Sequence, residues 1–162
     1  MVEKAQLFAK QAHEGQFYGN EDYYFHLESV WKISVDYDLR TPIQAACWLH
    51  DILEDTDVTY RQLLDEFGFE VAELVYSVTD ELGRNRKERK RKTYQKVFEY
   101  GKDAALLKLC DRVANVHYSN TQNKQLFEMY RKEHYDFSNL YKKLNLSHHL
   151  LYQRYEMFFN GT

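Results

Sequence analysis

Four carboxylates lie within seven residues at the end of one predicted helix, where the helix dipole disfavours negative charge. The segment is HDILEDTD at residues 50–57, and each acid near a helix C-terminus costs about 0.3 kcal/mol or more. His50 and Glu54 are four residues apart, as are Asp51 and Asp55, so each pair shares a helix face. A bound divalent cation would offset this repulsion. The alternative is that Asp55 and Asp57 only cap the next helix, and that His50 is a core histidine with its hydrogen bonds satisfied.

A second polar group interrupts a later apolar helix, in the segment KLCDRVAN at residues 108–115. Asp111, Asn115 and Ser119 share one face of this helix. A buried carboxylate must be paired or bound to a metal ion. The spacing therefore leaves two interpretations of Asp111 open, a salt-bridged structural residue and a metal ligand.

The charge of the chain is unevenly distributed. The formal net charge is −3, yet residues 84–92 hold seven basic residues against Glu88. This segment predicts a local positive field that attracts a phosphate-rich partner. The alternatives are a solvated helix face and, with less support, a contact with nucleic acid.

The elements that must position these groups are predicted to be helices. Thr41 with Gln44, and Thr59 with Gln62, have the spacing of capping boxes. The segment at residues 15–25 is predicted to be an irregular loop. Apolar periodicity predicts helices at about residues 2–14, 26–36, 41–51, 59–67, 71–79, 85–100 and 104–116, with two more between residues 125 and 159. A chain of 162 residues without repeats or linkers then forms one all-α domain.

Cysteine usage and hydropathy indicate a compartment. Cys47 and Cys110 lie in apolar stretches and are predicted to be buried thiols in a reducing environment. The chain has neither a signal-peptide pattern nor an apolar run of about 18 residues. We therefore expect a cytoplasmic protein without a membrane partner.

Several short motifs occur together in the order that is typical of one known family. The combination resembles the HD-domain metal-dependent phosphohydrolases of the RelA/SpoT type, and in particular their small stand-alone (p)ppGpp hydrolases. It implies a single-domain HD-type helical bundle over residues 1–162, with the motifs in about residues 5–120 and a helical tail at about 121–162. The motifs are Ala12-His13-x-Gly15-Gln16, His26, Leu49-His50-Asp51-x-x-Glu54-Asp55-Thr56, Phe67-Gly68, Val78-Thr79-Asp80 and Lys108-Leu109-x-Asp111-Arg112-x-x-Asn115.

The resemblance implies one divalent metal ion, with Mn²⁺ as the expected metal. Its ligands would be His26, His50, Asp51 and Asp111. Two imidazoles and two carboxylates also suit Fe²⁺ or Zn²⁺, so manganese follows from the family alone. The ion would lower the pKa of a coordinated water and polarise a phosphoryl oxygen.

The resemblance also implies roles for residues around this ion. Glu54 and Asp55 match the catalytic pair of the family, whose carboxylates orient the water and move its proton. Asn115 matches a residue that contacts the nucleotide. The basic segment at residues 84–92 also resembles a basic stretch of the small hydrolases, which makes Arg84, Lys87 and Arg91 candidate contacts for the substrate phosphates.

The chain departs from the family pattern directly after Gln16. Alarmone hydrolases of the family carry an Arg-Lys pair there that helps to hold the guanine nucleotide, whereas this chain has Phe17 and Tyr18 in a loop about one residue shorter. Tyr18 is therefore a candidate to stack on the base, with simple packing as the alternative. The departure leaves specificity for guanosine tetraphosphate open.

These observations predict a metal-dependent nucleotide phosphohydrolase, with guanosine 3′,5′-bis(diphosphate) 3′-pyrophosphohydrolase as the first interpretation. One alternative is the same chemistry on another phosphorylated nucleotide. Another is a non-catalytic HD protein that binds a nucleotide or nucleic acid. The enzyme is favoured because all four metal ligands and both acids are present.

Overall fold

Helices form nearly all of the regular structure in residues 1–160, which are the residues that the computed structural model describes. The prediction of an all-α fold is confirmed. The helices are α1 (Val2–Ala12), α2 (Tyr23–Asp36), α3 (Thr41–Leu49), α4 (Ile52–Asp55), α5 (Tyr60–Phe67), α6 (Phe69–Val78), α7 (Arg86–Tyr100), α8 (Lys102–Gln122), α9 (Lys124–Lys143) and α10 (Leu150–Glu156).

The segment predicted as an irregular loop contains a very small antiparallel sheet. Its strands are β1 (Phe17–Tyr18) and β2 (Glu21–Asp22), with Phe17 opposite Asp22. Gly19 makes the turn with φ of +59°, a conformation that favours glycine. Strands of two residues are too short for an alternating pattern to reveal, which is why the sequence did not predict them.

Two helix boundaries differ from the prediction near the polar residues. The α2 helix begins at Tyr23 because the Asp22 side chain accepts a hydrogen bond from the backbone N–H of Tyr24. The α3 helix ends at Leu49, and Asp51 is the N-cap of the separate α4. The dipole of α3 therefore destabilises the four carboxylates less than the sequence suggests. The inference of a bound cation depends instead on the side-chain geometry of the site.

One of the two predicted capping boxes is present. The Thr59 side chain accepts from the N–H of Gln62, and the Gln62 side chain accepts from the N–H of Thr59. The prediction for Thr41 is wrong, because Arg40 is the N-cap of α3 and makes no side-chain capping bond. Gln44 instead donates to the Leu39 carbonyl.

The core is built around α3, whose residues Ile43 and Ala45 to Leu49 are buried. Helices α1, α2, α6 and α8 pack against it. Burial of nonpolar surface is the main stabilising term in folding, so this packing stabilises the arrangement of α2, α3 and α8 that brings their polar motifs together. Cys47 and Cys110 are buried free thiols, as predicted. No helix in the described residues has the length and apolar character that a membrane span requires.

Candidate metal centre and active site

Four side chains from different parts of the chain converge on one point in the core. His26 comes from the first turns of α2, His50 and Asp51 from the junction of α3 and α4, and Asp111 from the middle of α8. The two histidines are almost completely buried and the two aspartates are mostly buried. We call these four residues the His–Asp cluster.

The ligand atoms of the His–Asp cluster are very close together. The Nε2 atoms of His26 and His50 are 3.2 Å apart. Asp51 Oδ2 lies 2.9 Å from the Nε2 of His50 and 3.5 Å from that of His26. Asp111 Oδ1 lies 3.3 Å from the Nε2 of His26 and 3.4 Å from that of His50. Each carboxylate thus faces both imidazole Nε2 atoms, so the four residues do not form two separate pairs.

The tautomer of His50 indicates that a cation or a proton must lie between His50 and Asp51. His50 Nδ1 lies 2.8 Å from the Cys47 carbonyl oxygen. A carbonyl only accepts, so Nδ1 carries the hydrogen, and Nε2 of the neutral ring presents a lone pair to the Asp51 carboxylate. Two acceptors at this distance repel each other unless a proton or a metal cation lies between them.

The electrostatics of the cluster follow the same logic. Burial alone would lower the pKa of His26 and His50, but hydrogen bonds and charges from Asp51 and Asp111 reverse this and raise both. Burial would likewise raise the pKa of each aspartate, but the imidazoles hold both carboxyl groups well below their usual range. Both carboxyl groups are therefore ionised, and a positive charge next to them stabilises the cluster.

The observed separations fit a single metal ion. Ligand atoms about 2.1 Å from one ion, at angles between 90° and the tetrahedral value, are about 3.0 to 3.4 Å apart. Five of the six separations in the His–Asp cluster lie between 2.9 and 3.5 Å, and the donor atoms of His26, His50 and Asp51 all lie within 4.8 Å of one another. The Cys47 carbonyl also fixes the His50 ring in the tautomer that a metal needs at Nε2.

The two candidate catalytic acids lie beside this cluster on α4, where solvent reaches both. Glu54 Oε1 accepts the backbone N–H of Asp80 at 2.5 Å. Partial burial and the negative charge of Asp51 raise the pKa of Glu54 and of Asp55. A carboxyl group with a raised pKa is suited to exchange protons near neutral pH.

Tyr23 is a site residue that the sequence analysis missed. Its hydroxyl oxygen lies 2.6 Å from Asp51 Oδ2 and 3.1 Å from Asp55 Oδ2. Burial and the charge of Asp51 raise its pKa, so it remains a donor. Tyr23 fell in the segment predicted as a loop, and only the Asp22 cap that starts α2 three residues early could have indicated its position.

Lys108 is a second residue to which the sequence analysis gave no role. It is buried, and its Nζ lies 3.6 Å from Asp111 Oδ2. Although burial opposes its charge, Asp111, Asp80 and Glu54 raise its pKa. Lys108 therefore adds a fixed positive charge next to the His–Asp cluster. A lysine three residues before an aspartate in an apolar helix was the available signal.

The motif around His13 supports the position of α4. His13 Nδ1 bonds to Gln16 Oε1 at 2.8 Å, and Gln16 Nε2 donates to the Asp55 carbonyl at 2.7 Å. The His13 ring stacks on Tyr23 at 4.8 Å. These contacts make His13 and Gln16 part of the frame that holds Asp55.

Tyr18 and Asn115 are brought to the cluster and to each other. The Tyr18 hydroxyl donates to Asn115 Oδ1 at 2.6 Å, and Asn115 Nδ2 donates to Asp111 Oδ1 at 2.7 Å. The Tyr18 ring is parallel to that of His26 at 4.5 Å. One face of Tyr18 is thus used for packing, so a base could stack only on the other.

The structure does not bring Arg84, Lys87 and Arg91 to the His–Asp cluster. Arg84 is exposed and pairs with Glu88, while Lys87 and Arg91 line a groove between α7 and α9. Arg84 precedes α7, and a different residue of α7 reaches the site. That residue is Lys90, whose Nζ donates to Asp80 at 2.8 Å, next to Glu54.

The fold and the cluster together define a known class of helical metal-binding proteins. The family model described as "HD domain" matches residues 5–144, and the chain belongs to that family. Membership implies a bound divalent metal ion, and His26, His50 and Asp51 are donors close enough to share one.

Individual relatives narrow the comparison. The chain is 38% identical over 117 residues to the guanosine-3′,5′-bis(diphosphate) 3′-pyrophosphohydrolase of Haemophilus influenzae, a match of 68% of this chain and 17% of that protein. It is also 40% identical over 74 residues to the guanosine-3′,5′-bis(diphosphate) 3′-pyrophosphohydrolase MESH1 of Danio rerio. That match covers 46% of this chain and 41% of the relative. The chain thus spans about a sixth of the length of its longer relatives.

A solved structure establishes the fold independently. It is described as a metazoan ortholog of SpoT that hydrolyses ppGpp, and it matches with a TM-score of 0.82 at 24% identity. The match covers 99% of this chain and 94% of that one. The expected HD-type helical bundle is therefore confirmed.

Proposed function

We propose that this protein is a metal-dependent guanosine 3′,5′-bis(diphosphate) 3′-pyrophosphohydrolase, which releases guanosine diphosphate and pyrophosphate. The observation that carries the proposal is the convergence of two imidazoles and two carboxylates, with two further acids beside them, in a chain of the HD domain family. The names of the relatives supply the substrate. The intact set of ligands and acids favours an enzyme over a non-catalytic binding protein.

We assign the metal ion to the His–Asp cluster, with Mn²⁺ as the metal. When bound, a divalent ion acts as a Lewis acid on a phosphoryl oxygen and lowers the pKa of water. The chain contributes the frame: the Cys47 carbonyl orients His50, and the Tyr23 hydroxyl orients Asp51.

We assign proton transfer to Glu54 and Asp55. In the hydrolysis the oxygen of one water bonds to the phosphorus attached to O3′, the O3′–P bond breaks, and one proton reaches O3′. A carboxylate at Glu54 or Asp55 takes the proton from the water, and the raised pKa of both groups favours holding it until it is transferred. Lys108 and Lys90 supply positive charge near the phosphates, and Asn115 and Tyr18 contact the nucleoside.

A second candidate is the same chemistry on a different phosphorylated nucleotide. The observation that favours it is the position after Gln16, where Phe17 and Tyr18 replace the Arg-Lys pair of the family. Tyr18 packs on His26, and Phe17 is 72% exposed, so neither supplies a charged contact to the nucleotide.

The test is turnover by purified protein with Mn²⁺ on a panel of phosphorylated nucleotides, with products separated by ion-exchange chromatography. We expect guanosine tetraphosphate to yield guanosine diphosphate and pyrophosphate in equal amounts. If that substrate is untouched while another nucleotide is hydrolysed, the second candidate replaces the first. Absence of turnover on the whole panel would reject both.

A further inference from the structure

A cavity lies between α7 and α9, and Lys90 is the one lining residue to which the proposed mechanism gives a role. The cavity, which we call the α7–α9 groove, has a volume of about 680 Å³. This size lies within the range of pockets that hold small ligands, about 300 to 1,000 Å³. On α7 its lining residues recur at positions 86, 90, 94 and 98, so it follows one face of that helix.

The charge of the α7–α9 groove is strongly positive in a protein of net charge −3. Six basic and two acidic side chains line it, a net charge of +4. Glu133, one of the two acids, is already paired with Arg86 and Arg112. The basic lining residues are Arg86, Lys87, Lys90, Arg91, Lys132 and Lys143.

Four of these six basic side chains form no ion pair with the described residues. Arg86 pairs with Glu133, and Lys90 pairs with Asp80. Among residues 1–160, no carboxylate lies within ion-pair distance of the remaining four, Lys87, Arg91, Lys132 and Lys143. Unpaired like charges along one cavity repel each other, and an anionic ligand would relieve this repulsion.

The floor of the groove is apolar and partly aromatic. Tyr94 and Leu140 are buried, Met129 is half-buried, and Phe98 is 39% exposed. Such a surface suits a flat ring, because aromatic and thioether groups stack and pack on ring faces. Inorganic phosphate alone would leave this floor exposed to water.

The groove is distinct from the His–Asp cluster, none of whose residues lines it. Arg112 does not line the groove and is connected to it through Glu133, which does. Its guanidinium is buried against the rings of Phe137 and Tyr130 at 4.4 and 4.7 Å, and donates to Glu133. A ligand in the groove would therefore contact the outer side of Glu133.

We propose that the α7–α9 groove is a second nucleotide site. The unpaired lysines and arginine bind the phosphates, and the floor at Phe98 and Met129 takes the base. The proposal does not depend on the proposed function: the groove shares only Lys90 with the proposed mechanism, and Lys90 is already paired with Asp80, so the unpaired groups that bind the phosphates are other residues.

The test compares two variants of α9 that carry the same change of charge. Lys132→Glu/Lys143→Glu alters the groove, while Lys124→Glu/Lys142→Glu alters two exposed lysines of the same helix that do not line it. Lys142 and Lys143 both lie in the last turn of α9. The two double variants therefore place the same change of charge at the C-terminal end of the helix dipole. Thermal unfolding verifies that both variants fold.

Binding of GTP, ATP and inorganic tripolyphosphate to the metal-loaded protein is measured by calorimetry. We expect the groove variant to bind GTP or ATP at least about tenfold more weakly and the control variant within about threefold of wild type, with the difference shrinking as salt rises. Both nucleotides should bind more tightly than tripolyphosphate because only they cover the floor.

Three results would overturn the proposal. One is equal weakening in both variants, which would indicate a non-specific charge effect. Another is tripolyphosphate binding as tightly as the nucleotides. The third is a rise in KM for guanosine tetraphosphate in the groove variant that matches its loss of GTP affinity, since the groove would then belong to the substrate site.

Discussion

The Tyr23 hydroxyl connects two residues with different proposed roles, the metal ligand Asp51 and the catalytic acid Asp55. It is closer to Asp51 Oδ2, at 2.6 Å against 3.1 Å to Asp55 Oδ2, so its single proton serves mainly the ligand. A hydrogen-bonded ligand carboxylate keeps its orientation when the ion dissociates. Tyr23 is thus a positioning residue whose effect should appear in metal affinity.

Tyr23→Phe removes this hydroxyl and keeps the ring that stacks on His13. We expect the affinity for Mn²⁺ to fall about 10- to 100-fold, the usual effect of losing a hydrogen bond to a metal ligand, with turnover recovering at high Mn²⁺. Metal titration followed by activity measures this. Tyr24→Phe is the control, because that neighbouring hydroxyl bonds only to Gln6 among the described residues. Equal metal affinity in both variants would rule out the role of Tyr23.

Asp51→Ala and Asp111→Ala should abolish metal binding. Each change removes a carboxylate that faces both imidazoles within 3.5 Å, and the remaining donors are too few to hold the ion tightly. We expect elemental analysis to find about one metal ion per wild-type chain and a small fraction of that in either variant. A wild-type protein that stays metal-free and inactive in Mn²⁺ would contradict the assignment.

Glu54→Gln and Asp55→Asn should separate catalysis from metal binding. Neither residue is one of the four proposed ligands, so metal content and thermal stability should remain close to wild type. Turnover should fall by roughly two to four orders of magnitude, the usual contribution of a positioned acid or base. If both variants keep full activity, these residues play no part in proton transfer.

The residue types at the site were predictable, but their contacts were not. The motifs identified the histidines and aspartates that the structure brings together. Tyr23 and Lys108 received no role, because their contacts with Asp51 and Asp111 arise only when α2, α4 and α8 pack. Arg84, Lys87 and Arg91 were chosen because they lie in a basic segment that resembles one in the small hydrolases, and neither charge nor resemblance specifies the direction in which a side chain points.

At the level of elements, Glu133 joins three helices. It lies on α9 and accepts hydrogen bonds from Arg86 of α7 and from Arg112 of α8, the helix that carries Asp111. Arg112 is only 3% exposed and also donates to the Tyr94 hydroxyl. The position of α8 therefore depends on a buried guanidinium that needs its carboxylate partner.

Glu133→Ala should destabilise the fold by about 2 to 3 kcal/mol. Breaking a fully buried pair costs about 3 to 5 kcal/mol, and Glu133, at 19% exposure, retains some contact with water. Glu128→Ala is the control, because its pair with Arg131 is exposed and such pairs contribute about 0 to 1 kcal/mol. Urea unfolding of both variants measures the difference. Equal losses would mean that the network does not hold α8.

The contribution of Glu133 should also depend on pH in a defined direction. Burial alone would raise its pKa, but the hydrogen bond from Arg86 and the charge of Arg112 lower it below the ordinary value. The stabilisation is therefore complete above the unfolded pKa of about 4.3 and is lost as pH falls through the lower folded pKa. The stability difference between wild type and Glu133→Ala should shrink below about pH 4.

At the level of the whole molecule, helical periodicity was enough to predict the architecture. The all-α bundle and nearly all of its helices follow from apolar spacing, since each helix must bury one face. The break between α3 and α4 was not predictable, because residues 41–51 continue the helical pattern through the point where α3 ends. The small sheet was missed because its two-residue strands are too short to show alternation. Its turn requires Gly19, because a Cβ at that position would overlap the Tyr118 hydroxyl.

The same hairpin leads to a prediction about substrate choice. A site that hydrogen-bonds a substrate group rejects an analogue that lacks it by about 10⁴-fold or more, whereas packing and stacking discriminate by about 10- to 200-fold. Here the Arg-Lys pair is absent, and Tyr18 and Asn115 already bond to each other. We therefore expect kcat/KM for guanosine tetraphosphate to exceed that for its adenosine analogue by less than about 200-fold, measured side by side in Mn²⁺. A preference above about 10⁴-fold would show that a polar contact reads the guanine edge, and base recognition would then have to come from residues outside the hairpin.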